Sequence, residues 1–144
     1  MTSPEKKLEF LLRLSRVQAQ INRRFDGTSG WFGWSGFQVL YYLNRAQGKR
    51  MRRIDLAEKL ALTASGITRM LLPMEKLGLV EREACQGDAR VSYVKLTTAG
   101  ERVLGESMEN VLYLASELMP RENENRKTDP EDLFKLFSLG HIAD

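Results

Sequence analysis

One cysteine and one histidine in 144 residues leave little material for several kinds of chemistry. A lone cysteine excludes an internal disulfide, and with a single histidine it falls short of a zinc site within one chain. No nucleophile–base arrangement, glycine-rich phosphate loop or metal-ligand spacing is visible, and one histidine removes most acid–base schemes. The expectation is a protein that is not an enzyme and needs no cofactor or metal. Long apolar runs are missing as well. The longest are five residues, Val39 to Leu43 and Val111 to Ala115, far short of the ~20 that cross a membrane. Met1 to Lys7 leads into a charged amphipathic stretch without the apolar core of a signal peptide, so a cytoplasmic location is the default expectation.

What the chain does have is globular material. Its 42% apolar and 28% charged residues suit a folded chain rather than a disordered one. Its length suffices for one core with helical extensions. The net charge of +3 is unevenly spread. Residues 1–48 hold seven Lys/Arg against three Asp/Glu, and residues 49–95 hold ten against six, a balance of +4 in each. Residues 96–144 hold five against ten, or −5. A basic front and middle suit a surface facing a polyanion, although the same charges would also serve simply to solvate helices.

Ser3 as N-cap, Pro4 in the first turn and Glu5 at the positive end of the dipole open a first helix. Phe10, Leu14, Val17, Ile21 and Phe25 recur along it at helical spacing, widened by Leu11. Asp26 to Gly30 ends it. A second helix is expected from a Ser35 cap, with Phe37, Leu40, Tyr41 and Asn44 along one side and Gly48 at its close. Lys49 to Arg53 reads as a basic connector. Ile54 to Leu60 reads as a short third helix with Ile54, Ala57 and Leu60 or Ala61 inward. Thr63 caps a fourth helix that Gly78 stops. Ile67, Met70, Leu71, Met74 and Leu77 form its inner face, and Ala64, Ser65, Thr68, Arg69 and Leu72 its outer one. Leu79 to Cys85 and Val91 to Leu96 read as two strands around the turn Gln86 to Ala89. Thr97 or Thr98 caps a long fifth helix ended by Pro120. Its inward candidates are Val103, Leu104, Met108, Val111, Leu112, Ala115 and Leu118. Glu131 to Leu139 can form a last short helix.

Two short helices separated by Ala61-Leu62-Thr63, then a two-stranded hairpin, read as a winged helix-turn-helix. A helix fits the major groove, and its N-terminal half must show small or hydrogen-bonding side chains to the base edges. Ala64, Ser65, Thr68 and Arg69 supply that mixture, and the free N–H groups at the helix start can hold a phosphate. The same residues would equally form the wet side of any amphipathic helix; the hairpin is what tips the reading. Arg90 at its base can reach a neighbouring minor groove, with Asp88 able to hold the guanidinium. Arg52, Arg53 and Lys95 are candidate phosphate contacts.

These segments resemble the MarR family of bacterial regulators. The resemblance rests on Ile54-Asp55-Leu56-Ala57-Glu58-Lys59-Leu60, Thr63-Ala64-Ser65-Gly66-Ile67-Thr68-Arg69 and Glu75-Lys76-Leu77-Gly78-Leu79-Val80-Glu81-Arg82. It rests also on Gly87-Asp88-Ala89-Arg90 and Lys95-Leu96-Thr97-Thr98-Ala99-Gly100, with Trp34 to Leu40 fitting the preceding helix. By motif it covers roughly residues 34–104. It implies a mainly α fold with a small β-hairpin wing, the winged helix-turn-helix lying between N- and C-terminal dimerisation helices. The expected divisions are 1–33 for dimerisation, 34–100 for DNA binding and 101–144 for dimerisation. It further implies a homodimer on a pseudo-palindromic operator, a repressor, and release by a small aromatic ligand. Ser65, Thr68 and Arg69 match the recognition-helix positions, and Asp88 and Arg90 the wing. The residues support the dimer in their own way, since the terminal helices carry more apolar groups than one small core can cover.

Some features stand apart. Pro73 falls inside the fourth helix, where proline removes a backbone donor and favours a kink. Cys85, at the base of the wing, reads as a passive strand residue rather than a redox sensor. Trp31, Trp34, Phe37 and Tyr41 are a candidate ligand pocket, though such aromatics also make ordinary core. A winged-helix module that binds another protein, without specific DNA binding, is the alternative function.

Overall fold

The computed structural model describes residues 3–27, 32–84, 87 and 90–119. Trp31, Cys85, Asp88, Pro120 and the expected helix from Glu131 to Leu139 lie outside the described residues. Along the chain come helix α1 (Pro4–Asp26), helix α2 (Gly33–Arg45) and a single 3-10 turn (Gln47–Lys49). Strand β1 (Arg50–Arg52), helices α3 (Arg53–Lys59) and α4 (Ala64–Lys76), strands β2 (Val80–Ala84) and β3 (Ser92–Leu96) and helix α5 (Thr98–Leu118) complete it.

Most helix starts follow from side-chain caps that satisfy otherwise open N–H groups. Ser3 accepts from the Lys6 amide, Thr63 from Gly66 and Thr97 from Gly100. The second helix departs from expectation. It begins at Gly33, two residues before Ser35, and Phe32 at its N-cap makes no side-chain cap bond. Instead the Asp26 carboxylate, at the far end of α1, accepts from the Trp34 amide at 2.8 Å. An anion at the positive end of α2 is stabilising, and it pins the two helices together across the loop.

The basic connector also turns out to be structure. Arg50, Met51 and Arg52 pair antiparallel with Lys95, Val94 and Tyr93. The sheet therefore has three strands in the order β1-β3-β2 rather than a hairpin alone. Val94 and Leu96 of its inner face join Val39, Leu40, Leu43, Leu56, Ile67, Leu71, Met74 and Val80 in one core.

Three expected core positions lie outside. Ile54 and Leu77 are exposed at the two ends of the helix-turn-helix, and Leu112 is exposed on α5. On α3 the core takes Leu56 and Ala57, so the inward face is rotated away from Ile54. Leu77 follows the last residue of α4, where the chain is already turning at Gly78 with φ 73°. On α5 the buried phase runs through Leu104, Val111 and Leu114, and Leu112 falls beside it. Helix α1 likewise buries only Phe25. Its Phe10, Leu11, Leu14 and Val17 stay exposed.

Thr97 joins the wing to the helical body. Its Oγ1 donates toward the carbonyls of Gly78 at 2.5 Å and Leu79 at 3.0 Å. The close approach that follows leaves no room at Gly100, where a β-carbon would collide with the Leu79 carbonyl oxygen.

Candidate nucleic-acid interface

Helix α3, the turn from Leu60 to Thr63 and helix α4 form one unit. The turn closes with the Ala61 amide donating to Glu58 O at 3.1 Å and the Leu62 amide to Ala57 O at 2.9 Å. Ala61 takes a left-handed φ of 52° to do so. Burial of Leu56 and Ala57 on one side and Ile67, Leu71 and Met74 on the other fixes which face of α4 looks outward. That face begins with exposed Ala64 and Ser65, includes half-buried Thr68 and continues with exposed Arg69. Ser65 Oγ lies 3.2 Å from the capping Thr63 Oγ1. Arg69 makes no ion pair among the described residues. Helix α4 runs unbroken through Pro73, which is exposed.

Beyond the start of α4 lies the wing. Arg90 is exposed where the chain enters β3. It shares the wall of a cleft of about 500 Å³ with Arg52, Ile54, Ala64 and Ser92. The structure thus brings the start of α4, the end of β1 and the foot of the wing to one place. Gly87, at φ 101°, supplies the turn between the wing strands.

The three candidate phosphate contacts have different surroundings. Arg52 donates to both oxygens of Asp55, at 2.9 and 3.2 Å. That hydrogen bond first, and then the charge of Asp55, raise its pKa. Its positive charge is lost only as pH rises through that raised value, so Arg52 stays charged at every pH used for binding. Lys95 lies opposite Arg50 and Glu81 in the sheet. Here the Arg50 guanidinium sits 5.0 Å over the Tyr93 ring and 2.5 Å from Glu83. Arg53 is turned inward. Its side chain is only 20% exposed, with Nη2 3.5 Å from Glu75 Oε1 and Nη1 donating to Thr68 Oγ1 at 3.1 Å. That placement suits an internal support better than a phosphate contact.

The expected aromatic pocket is built as a stack. Phe25 and Trp34 rings lie 4.0 Å apart, Trp34 and Phe37 5.6 Å, and Phe37 and Tyr41 6.1 Å, each pair close to parallel. Arg45 covers the Tyr41 ring at 5.6 Å. Phe37 is buried while Trp34 and Tyr41 are half-exposed, so the stack ties the end of α1 to α2. A smaller cavity of about 180 Å³ opens beside it, between Phe32, Ser35 and Gly36 of the α2 start and Met70, Pro73 and Met74 of α4.

Two helices joined by a tight turn, an exposed face at the start of the second and a sheet carrying an arginine beside it define a winged helix-turn-helix protein. The family model of the MarR family matches residues 35–91. An uncharacterized HTH-type transcriptional regulator of Bacillus cereus is 32% identical over 137 residues, covering 90% of this chain and 85% of that protein. The chain belongs to the MarR family of DNA-binding transcriptional regulators. Its fold matches a MarR family regulator from Streptomyces coelicolor solved in complex with DNA, at a TM-score of 0.82 and 19% identity, over 100% of this chain and 92% of that one. It also matches BpsR of Bordetella bronchiseptica, whose DNA binding is regulated by 6-hydroxynicotinic acid, at 0.75 and 19%, over 92% and 98%.

Sequence reasoning missed the participation of β1, the Asp26 cap and the inward role of Arg53. Only the first left a trace in the sequence, in the way Arg50, Met51 and Arg52 alternate charged and apolar side chains.

Proposed function

We propose that two copies of this chain bind a pseudo-palindromic DNA operator and repress transcription there. Each α4 enters a major groove and each wing the adjoining minor groove. The observation that carries the reading is that Ala64, which opens the outward face continued by exposed Ser65 and Arg69, lines one cleft with Arg90. Small and hydrogen-bonding groups at the helix start read base edges. The wing arginine suits the negative potential of a narrow minor groove. Asp88 completes the wing motif, while Arg52 and Lys95 supply positive charge near the backbone.

The dimer is supported by apolar side chains that the monomer leaves outside: Leu8, Leu11, Leu14 and Val17 on α1, with Leu112 and Tyr113 on α5. Pairing of these helices between copies removes that surface from water. Release by a small aromatic compound belongs to the same reading, supported by the half-exposed Trp34 and Tyr41 faces and by the behaviour of BpsR. The described helices include none long and apolar enough to cross a membrane.

Binding of the purified chain to operator-length duplexes across a salt series tests the reading. A log–log slope near −0.9 per phosphate neutralised is expected, on roughly −5 or steeper in total. Affinity indifferent to salt and to sequence would instead indicate a winged helix that binds another protein.

A further inference from the structure

Thr68 stands on the recognition side of α4, yet its hydroxyl is already committed within the protein. Oγ1 donates to the Ala64 carbonyl at 3.0 Å and accepts from Arg53 Nη1 at 3.1 Å. A hydroxyl has one proton and two lone pairs. The proton is therefore used, and one lone pair is held by a cation, in a bond stronger than a neutral one. Arg53 Nη2 in turn lies 3.5 Å from Glu75 Oε1, an ion pair without a hydrogen bond, and Arg82 approaches the same oxygen at 3.9 Å. Arg53 and Glu75 are each about one-fifth exposed. For Thr68 to donate to a base edge, this arrangement would have to come apart.

One lone pair is left that can only accept, and beside it stands the γ-methyl group. In the major groove thymine differs from every other base by its C5-methyl, and a threonine methyl is among the groups that pack on it. We propose that Thr68 reads a thymine in each half-site through methyl contact, and that Arg53, held by Glu75, is the positioning residue that fixes this orientation. The inference rests on the DNA-binding reading above and names what one residue of that interface recognises.

The test uses the full chain and a duplex selected from random sequence by that chain, with each thymine replaced in turn by deoxyuridine. At one position per half-site, loss of the methyl is expected to weaken binding about fourfold, the value of one buried methylene-sized group. Thr68→Val, which keeps a methyl and drops the hydroxyl, retains the thymine–uracil ratio. Thr68→Ser, which does the reverse, abolishes it. Arg53→Met shrinks the ratio and Arg53→Lys restores part of it, whereas a merely structural loss would weaken both duplexes alike and leave the ratio intact. The proposal is overturned if no deoxyuridine substitution weakens a specifically bound duplex, or if Thr68→Ser keeps the ratio that Thr68→Val loses. Failure to select any duplex would overturn the DNA-binding reading itself, and this proposal with it.

Discussion

Arg69 and Arg90 are both exposed, and the proposed interface gives them different work. Arg69 projects from α4, the proposed recognition helix, where a bidentate contact to guanine O6 and N7 is worth about 1–3 kcal/mol. Arg69→Ala is expected to weaken operator binding by that amount and to relax preference at one base pair, measured by anisotropy on single-substituted duplexes. An equal loss on every sequence would make it a phosphate contact. Arg90 stands at the foot of the wing, so Arg90→Ala should weaken binding most on duplexes whose flanks are A·T-rich, where the minor groove is narrow. Arg53 shows why residue type alone does not decide a role. In the sequence it is one of four cations among residues 49–53; in the fold the first turn of α3 carries it inward against Glu75, twenty-two positions later.

At the scale of elements, caps and periodicity made most of the fold legible. Ser3, Thr63 and Thr97 mark three helix starts because the cap is local chemistry, written within four residues. Asp26 was not legible as the cap of α2, since it acts from another helix across the loop. β1 was hidden for a related reason. Three residues carry too little period to declare a strand, and it exists because β3 offers a free edge. On α3 and α5 the pattern misled at single positions: Ile54 and Leu112 are exposed, whereas Leu56 and Leu114, two residues further on, are buried. Two stability predictions belong here. Asp26→Ala should cost about 0.5–2 kcal/mol through loss of the cap. Gly100→Ala should cost about 1–3 kcal/mol because the new carbon meets the Leu79 carbonyl oxygen. Urea unfolding of each variant measures both; an unchanged midpoint for Gly100→Ala would show that α5 can slide away from the wing.

For the whole molecule, the uneven burial is the informative fact. The residues around the helix-turn-helix close a tight core, whereas α1 contributes only Phe25 to it and leaves a row of leucines, Phe10 and Val17 outside. Periodicity revealed that α1 has an apolar stripe, but a stripe does not say whose surface it covers. In the proposed dimer a second copy covers it, so Leu11→Glu with Leu14→Glu should yield a monomer by sedimentation, with much weaker operator binding. A double variant that remains dimeric would move the interface elsewhere.

The central claim is that this chain recognises particular DNA sequences. Incubating the purified protein with fragmented DNA of its own genome at physiological salt, and sequencing what it retains, tests it most directly. Enrichment of a short inverted repeat near a promoter is expected, with half-sites about one helical turn apart, roughly 34–36 Å, or a multiple of it. A folded, dimeric protein that enriches no sequence would contradict it.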